Sequence, residues 1–344
     1  MKINSFGTYR MTIINGIEID VGKVSIDETR SSILNNMPID KKLHVIAVIS
    51  NPCQYARRYI LAREFLKRME VEKDVILYVV ELVYGEQKFY VTEKKNKRHL
   101  QIRGVTPLWH KENMINMGVR HLLPDNWKAF AWIDADIEFE NSSWALDALK
   151  VLNGSKDVIQ LFSHAIDMDK HQNAMSIFPS FGFQYCRGRT YGGTGINMWH
   201  PGYAWACTRS AYERMGGLYE KSILGAGDHN MSFSFIGNGL KSLNESMTDD
   251  YKESLEVFEK AAATMRLGYV PGVIRHYFHG SKKNRKYSER WKILADNQYS
   301  PSLHVRKTAE GLIVPTSQCP QKLLDQVLQY FSERNEDDGF KEES

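Results

Sequence analysis

The sequence predicts a doubly wound α/β fold, with a mostly parallel central sheet flanked by helices, on three observations. Short continuous apolar runs recur at 43–49, 75–83, 130–133 and 158–162, as expected of strands covered on both faces. Segments with apolar residues at helical spacing separate them, such as Tyr55, Tyr59, Ala62, Leu66 and Met69. Polar turns, Ser50-Asn51-Pro52 first among them, follow the runs at the strand ends where such sheets bind ligands.

The 344 residues suffice for one large α/β domain or two smaller ones. Hydrophobic residues make up 42% and charged residues 25%, the proportions of a soluble globular chain. A net charge of +4 excludes a polycation built as a whole for nucleic acid, and leaves the basic clusters at 94–99 and 282–286 as the places to meet phosphate. Cys53, Cys186, Cys207 and Cys319 are far apart and form no Cys-x-x-Cys, which argues against structural zinc and for a reducing compartment. Residues 1–5 lack a signal-peptide core and no run of about 18 apolar residues occurs. The expectation is a cytoplasmic protein with no membrane span.

Residues 1–40 read as an N-terminal hairpin extension, with 11–14 and 17–21 flanking Asn15-Gly16, a turn tolerant of positive φ. The main domain is expected over 41–300. In it the strand 43–49 leads into a helix, 75–83 forms a second strand interrupted by Glu81, and 93–98 reads as a loop. A helix at 109–122 follows, then a third strand at 130–136, a helix at 143–152 capped by Asn141 or Ser142, and a strand at 158–162. From His164 to Thr194 the pattern dissolves into Gly, aromatic and polar residues, an irregular acceptor-facing loop or an ordinary surface loop. A strand at 204–208, helices at 209–215, 231–236 and 255–267, and an extended segment at 269–277 complete it. Residues 301–344 supply a C-terminal helix at 322–330 and an acidic tail expected to be disordered.

Chemistry concentrates at strand ends. Asp134 and Asp136 end the third strand on one face, where two carboxylates need a cation, a proton or water between them. A divalent metal is the sharp reading, and a solvated acidic turn the plain one. Ser50, Asn51, Arg57 or Arg58 and Glu81 are placed for nucleotide contact, Glu81 because a carboxylate in an apolar strand needs a partner such as a ribose or base. Glycines precede Asp228 at a helix start, where it caps the helix or accepts a proton from an attacking hydroxyl. His276 and His279, with Lys282, Lys283 and Arg285, suit a site for a metal and a diphosphate; a solvated basic loop is the alternative.

These parts, co-linear over roughly 43–290, resemble the GT-A fold of nucleotide-sugar glycosyltransferases and, within it, the β-1,4-galactosyltransferase type. Tyr78-Val79-Val80-Glu81 looks like the family's second-strand nucleotide segment. The helix 111–118 (Lys-Glu-Asn-Met-Ile-Asn-Met-Gly) puts Lys111 at its nucleotide-contacting arginine, and Asp134-Ala135-Asp136 matches its metal motif. Gly225-Ala226-Gly227-Asp228 is similar to its Gly-Trp-Gly-x-Glu-Asp element, with Ala226 for the tryptophan, Gly227 for the glutamate and Asp228 on the catalytic base. The resemblance implies a GT-A fold with a C-terminal acceptor-side portion, and Mn²⁺ or Mg²⁺ held by Asp136 and His279 with help from Asp134, His276 being the alternative to His279. It implies a nucleotide-sugar donor, a UDP-sugar in the first place, and inverting transfer to a glycan or a modified base in DNA. A metal-dependent nucleotidyltransferase and a non-catalytic nucleotide-sugar binding module remain the rival readings.

Overall fold

The computed structural model describes residues 11–14, 17–20, 37–287 and 289–338. Strands β1 (Met11–Ile14) and β2 (Ile17–Asp20) pair antiparallel, and the expected turn at Asn15-Gly16 lies outside the described residues. The core strands are β3 (Leu43–Ser50), β4 (Val75–Tyr84), β5 (His99–Gly104) and β6 (Ala129–Ile133). After them come β7 (Ile137–Phe139), β8 (Val158–Gln160), β9 (His164–Met168), β10 (Ala174–Pro179) and β11 (Ala204–Thr208). Strands β12 (Leu267–Tyr269), β13 (Val273–His276), β14 (Val305–Lys307) and β15 (Ile313–Pro315) follow.

Among the described residues the large sheet has the order β12-β8-β11-β6-β3-β4-β5. Its pairs are parallel except where β11 runs antiparallel to both β6 and β8. The α/β class read from the sequence is therefore what the chain adopts. The chain grows outward from β3 through β4 and β5, then crosses back to place β6 on the other side of β3. That reversal opens a crevice beyond the carboxyl ends of β3 and β6.

Period-two alternation divides the buried residues between the two faces. Val45, Ala47 and Ile49 pack with Phe65 and Met69 of the helix Ala56–Val71, and with Trp144 and Leu149 of the helix Trp144–Val151. On the other face Ile46, Val80 and Trp132 pack with Met114 and Met117 of the helix Lys111–Leu122, and with Leu323 and Val327 of the helix Gln321–Glu333. Cores buried on both faces explain why the parallel strands read as continuous apolar runs.

A second sheet, β10-β9-β13-β7, stands at the mouth of the crevice. In its register His276 of β13 lies opposite Ile137 of β7 on one side and Asp167 of β9 on the other. The segment expected to be irregular over 164–194 therefore supplies β9, β10 and the helix Phe181–Cys186. Strand β10 is an edge strand whose Met175 and Ile177 face solvent, so no burial pattern announced it. The third strand ends at Ile133, earlier than its expected bound at 136. The Asp134 amide still donates to the Tyr203 carbonyl at 2.8 Å, extending the β6–β11 ladder by one bond, and the chain turns at Ala135 and Asp136 before β7.

Glu81, expected at a ribose or base, is instead a buried anchor for the loop that follows β4. Its carboxylate accepts from the amides of Tyr90 (2.7 Å) and Thr92 (2.9 Å), from the Thr92 hydroxyl (2.6 Å) and from the Val91 amide (3.2 Å). Asn51 is spent in the same way, closing a ring with the Tyr55 backbone through both ends of its amide at 2.8 and 3.0 Å. Replacing Glu81 by Gln turns an amide NH₂ toward these donors, and stability in urea should fall by roughly 3 kcal/mol. Unchanged stability would show that the loop does not depend on this carboxylate.

Candidate functional site

A cavity of about 530 Å³ fills the crevice. One corner of it is built by three segments. The turn after β6 carries Asp136, β13 ends in His276, and the following turn carries His279. The Tyr277 amide donates to the Asp136 carbonyl at 2.9 Å, tying the first segment to the last. Gly280, at φ 84, lets the chain bend sharply after His279. A Cβ there would lie 3.0 Å from the Asn335 carbonyl oxygen and the Glu336 Cα, so the close approach of the C-terminal segment also requires glycine.

Donor atoms of Asp136, His276 and His279 lie within 4.8 Å of one another. The Nε2 atoms of the two imidazoles are 3.3 Å apart, and Asp136 Oδ2 is 3.0 Å from His279 Nε2 and 3.9 Å from His276 Nε2. The Arg285 guanidinium approaches His279 Nε2 at 2.8 Å. A guanidinium can only donate, so in this contact Nε2 is the acceptor. Burial lowers the His276 pKa below the ordinary imidazole value, favouring the neutral ring. Asp136 Oδ1 is buried without a hydrogen-bond partner. A carboxylate and two imidazoles converging on one point, with one carboxylate oxygen left unsatisfied, fit a divalent cation that accepts mixed N and O ligands. His276 and His279 are thus not alternatives, since the structure brings both to Asp136.

Asp134 stands outside that cluster. Its Oδ1 is 2.6 Å from the Lys111 ammonium, which also lies 3.0 Å from Asp228 Oδ2. Burial works against the Lys111 charge, but the flanking carboxylates of Asp134 and Asp228 outweigh it and raise the pKa above the usual lysine value. Lys111 therefore stays cationic between them. Asp228 is in the first turn of the helix Gly227–Phe235, whose boundary residue Ala226 has φ 74. Gly227 is needed because the buried Glu112 carboxyl occupies the space where a Cβ would project. Burial, and then the charge of Asp228, raises the Glu112 pKa.

Other expected residues divide by position. Ser50, Lys282 and Arg285 line the cavity. Arg57 does not; its Nε donates to the Phe278 carbonyl at 3.0 Å, whereas Arg58 reaches the cavity wall and pairs with Glu336. Lys283 is exposed outside the cavity. Lys282 pairs with Asp167 and Lys286 with Glu333, so the basic run is largely engaged within the molecule.

Sequence reasoning missed Glu112, Asp167 and Glu336. Glu336 lies in the stretch expected to be disordered, yet it is 1% exposed. Burial works against its charge, but Arg58 and Arg334 hold its carboxyl well below the usual range. The neighbouring Asp337 accepts from the amides of Ala56 and Arg57 at 3.0 and 2.8 Å, fastening this segment to the start of a helix. A buried acid in a polar tail leaves no periodic signal, which is why it could not be read. Among the described residues no helix is long and apolar enough to cross a membrane.

No family model and no curated protein matches the sequence. The structure is similar to a Drosophila β-1,4-galactosyltransferase 7 variant in complex with manganese, UDP-galactose and xylobiose. Identity is 11%, with 83% of this chain and 98% of that one covered and a TM-score of 0.38. It is similar to a Pyrobaculum calidifontis mannosyltransferase with GDP-mannose and Mn²⁺, at 13% identity over 79% and 69% of the two chains and a TM-score of 0.39. The 4-diphosphocytidyl-2C-methyl-D-erythritol synthase of Anaerococcus prevotii is similar at 9% identity over 86% and 96%, with a TM-score of 0.32. At identities this low the chemistry of the site rests on its own residues.

The cluster predicts how metal affinity divides. Asp136→Ala, His276→Ala and His279→Ala should each weaken Mn²⁺ binding by about tenfold or more in calorimetric titration, and Asp134→Asn should weaken it far less. An Asp134→Asn loss as large as that of Asp136→Ala would overturn this ligand set.

Proposed function

We propose that the protein is a metal-dependent glycosyltransferase that moves a sugar from a nucleotide sugar, a UDP-sugar in the first place, to an acceptor hydroxyl with inversion. The observation that carries this reading is one cavity holding a metal-type cluster with cations at one corner and a carboxylate, Asp228, away from that cluster. Asp136, His276 and His279 would hold the cation, which supplies Lewis-acid stabilisation of the charge on a leaving diphosphate. Arg285 and Lys282 border the same corner and can offset phosphate charge.

In the transfer the acceptor oxygen forms a bond to the anomeric carbon as the bond from that carbon to the diphosphate breaks, and the electron pair leaves with the nucleoside diphosphate. Asp228 takes the acceptor's proton. Lys111 holds Asp228 against Asp134 and so fixes where the base points. Tyr191 and Trp199 give the cavity aromatic walls against which sugar faces can pack. For nucleotidyl transfer, Ser50-Asn51-Pro52 is not the Gly-rich basic loop that chemistry usually places after the first strand.

The reading is tested by incubating the protein with UDP-sugars, Mn²⁺ and candidate glycans while following UDP release and product configuration. Asp228→Asn should slow transfer by roughly 10²- to 10⁴-fold while leaving donor binding intact, and Asp136→Ala should lose metal-dependent donor binding as well. Wild-type rates in Asp228→Asn, or a retained anomeric configuration, would exclude Asp228 as the base of an inverting transfer.

A further inference from the structure

Both imidazoles of the cluster have an anionic carboxylate on the side away from the centre. His276 Nδ1 is 2.8 Å from Asp167 Oδ1, and both residues are buried. His279 Nδ1 is 3.6 Å from Glu336 Oε2, again between buried groups. Neither carboxylate belongs to the cluster itself, and each is fixed by other partners. Asp167 accepts from the Tyr203 hydroxyl at 3.0 Å and pairs with Lys282. The Tyr203 ring stacks on His276 with centroids 4.6 Å apart, so one tyrosine sets both the ring plane and the acid that faces its edge. Glu336 receives the Arg58 Nε at 2.8 Å through Oε2 and the Arg334 Nε at 2.7 Å through Oε1.

We infer that Asp167 and Glu336 are positioning residues that set the tautomer of the two histidines, holding the protons on Nδ1 and turning both Nε2 lone pairs toward Asp136. This rests on the metal-site reading above. An imidazole whose Nδ1–H faces a carboxylate presents a more basic Nε2 in a fixed direction. Without the two acids either ring could place its proton on Nε2, which on His279 would bond Asp136 at 3.0 Å and on both would remove the lone pair a metal needs. The two contributions differ in kind. Asp167 makes a direct hydrogen bond, whereas Glu336 acts across 3.6 Å as a field from an anion tied to two guanidinium groups. Glu336 also makes the C-terminal segment part of the site, through the glycine that lets it pass close to His279.

The first test needs no variant. In metal-free protein labelled with ¹⁵N-histidine, nitrogen chemical shifts should show His276 and His279 as Nδ1–H tautomers. The second is Mn²⁺ titration of variants checked for folding by thermal melting. Asp167→Asn should weaken Mn²⁺ binding by roughly 10- to 100-fold and move His276 toward the Nε2–H form. Glu336→Gln should produce a smaller loss and act on His279. Nε2–H tautomers in the wild-type protein would overturn the inference, as would unchanged Mn²⁺ affinity and unchanged tautomers in folded variants. If the wild-type protein binds no Mn²⁺, the metal reading fails, and the nitrogen shifts still decide whether these two acids set the tautomers.

Discussion

Three groups of the kind that ligate metals, brought within 4.8 Å of one another, make the constraint on which this site depends. Asp136, His276 and His279 converge from a turn, a strand end and a second turn, and acceptor-type atoms brought this close need a cation or a proton among them. Arg285 meets part of that need by donating to His279. The small sheet β10-β9-β13-β7 brings His276 between Ile137 and Asp167, and the β6–β7 turn beside it delivers Asp136. Bending at Gly280 lets His279 swing back to face His276 while the C-terminal segment closes behind it.

Lys111 gives the cavity a second centre. Its ammonium bridges Asp134, next to the metal corner, and Asp228, at a helix start, so the two carboxylates are linked through one cation. The pair Asp134 and Asp136 therefore divides its labour, one side chain facing the cluster and the other facing Lys111. The Glu112 carboxyl occupies the volume that a Cβ at position 227 would need, so crowding as well as turn geometry favours glycine there.

Much of the fold was legible because strands buried on both faces announce themselves as apolar runs, as at β3, β4 and β6. Strands β9 and β10 were hidden, since an edge strand with exposed Met175 and Ile177 and a buried Asp167 mixes the burial signal. Within the site, Asp136, both histidines, Asp228 and Arg285 were suggested by the residue pattern and Lys111 by the family resemblance, and all of them line one cavity. Glu81 and Asn51 could not be told from ligand-binding residues, because a buried polar group advertises a need for partners without saying whether backbone or ligand supplies them. Asp167 and Glu336 were invisible for the opposite reason. The histidines they face lie far away in sequence, and only the tertiary fold brings them together.

The central claim is that a divalent cation belongs among Asp136, His276 and His279. Diffraction from crystals grown with Mn²⁺ and UDP, collected on either side of the manganese absorption edge, tests it most directly. The account predicts one strong anomalous peak within bonding distance of Asp136, His276 Nε2 and His279 Nε2. A peak held by Asp134 and Asp228 instead, or none in the cavity at saturating Mn²⁺, would contradict it.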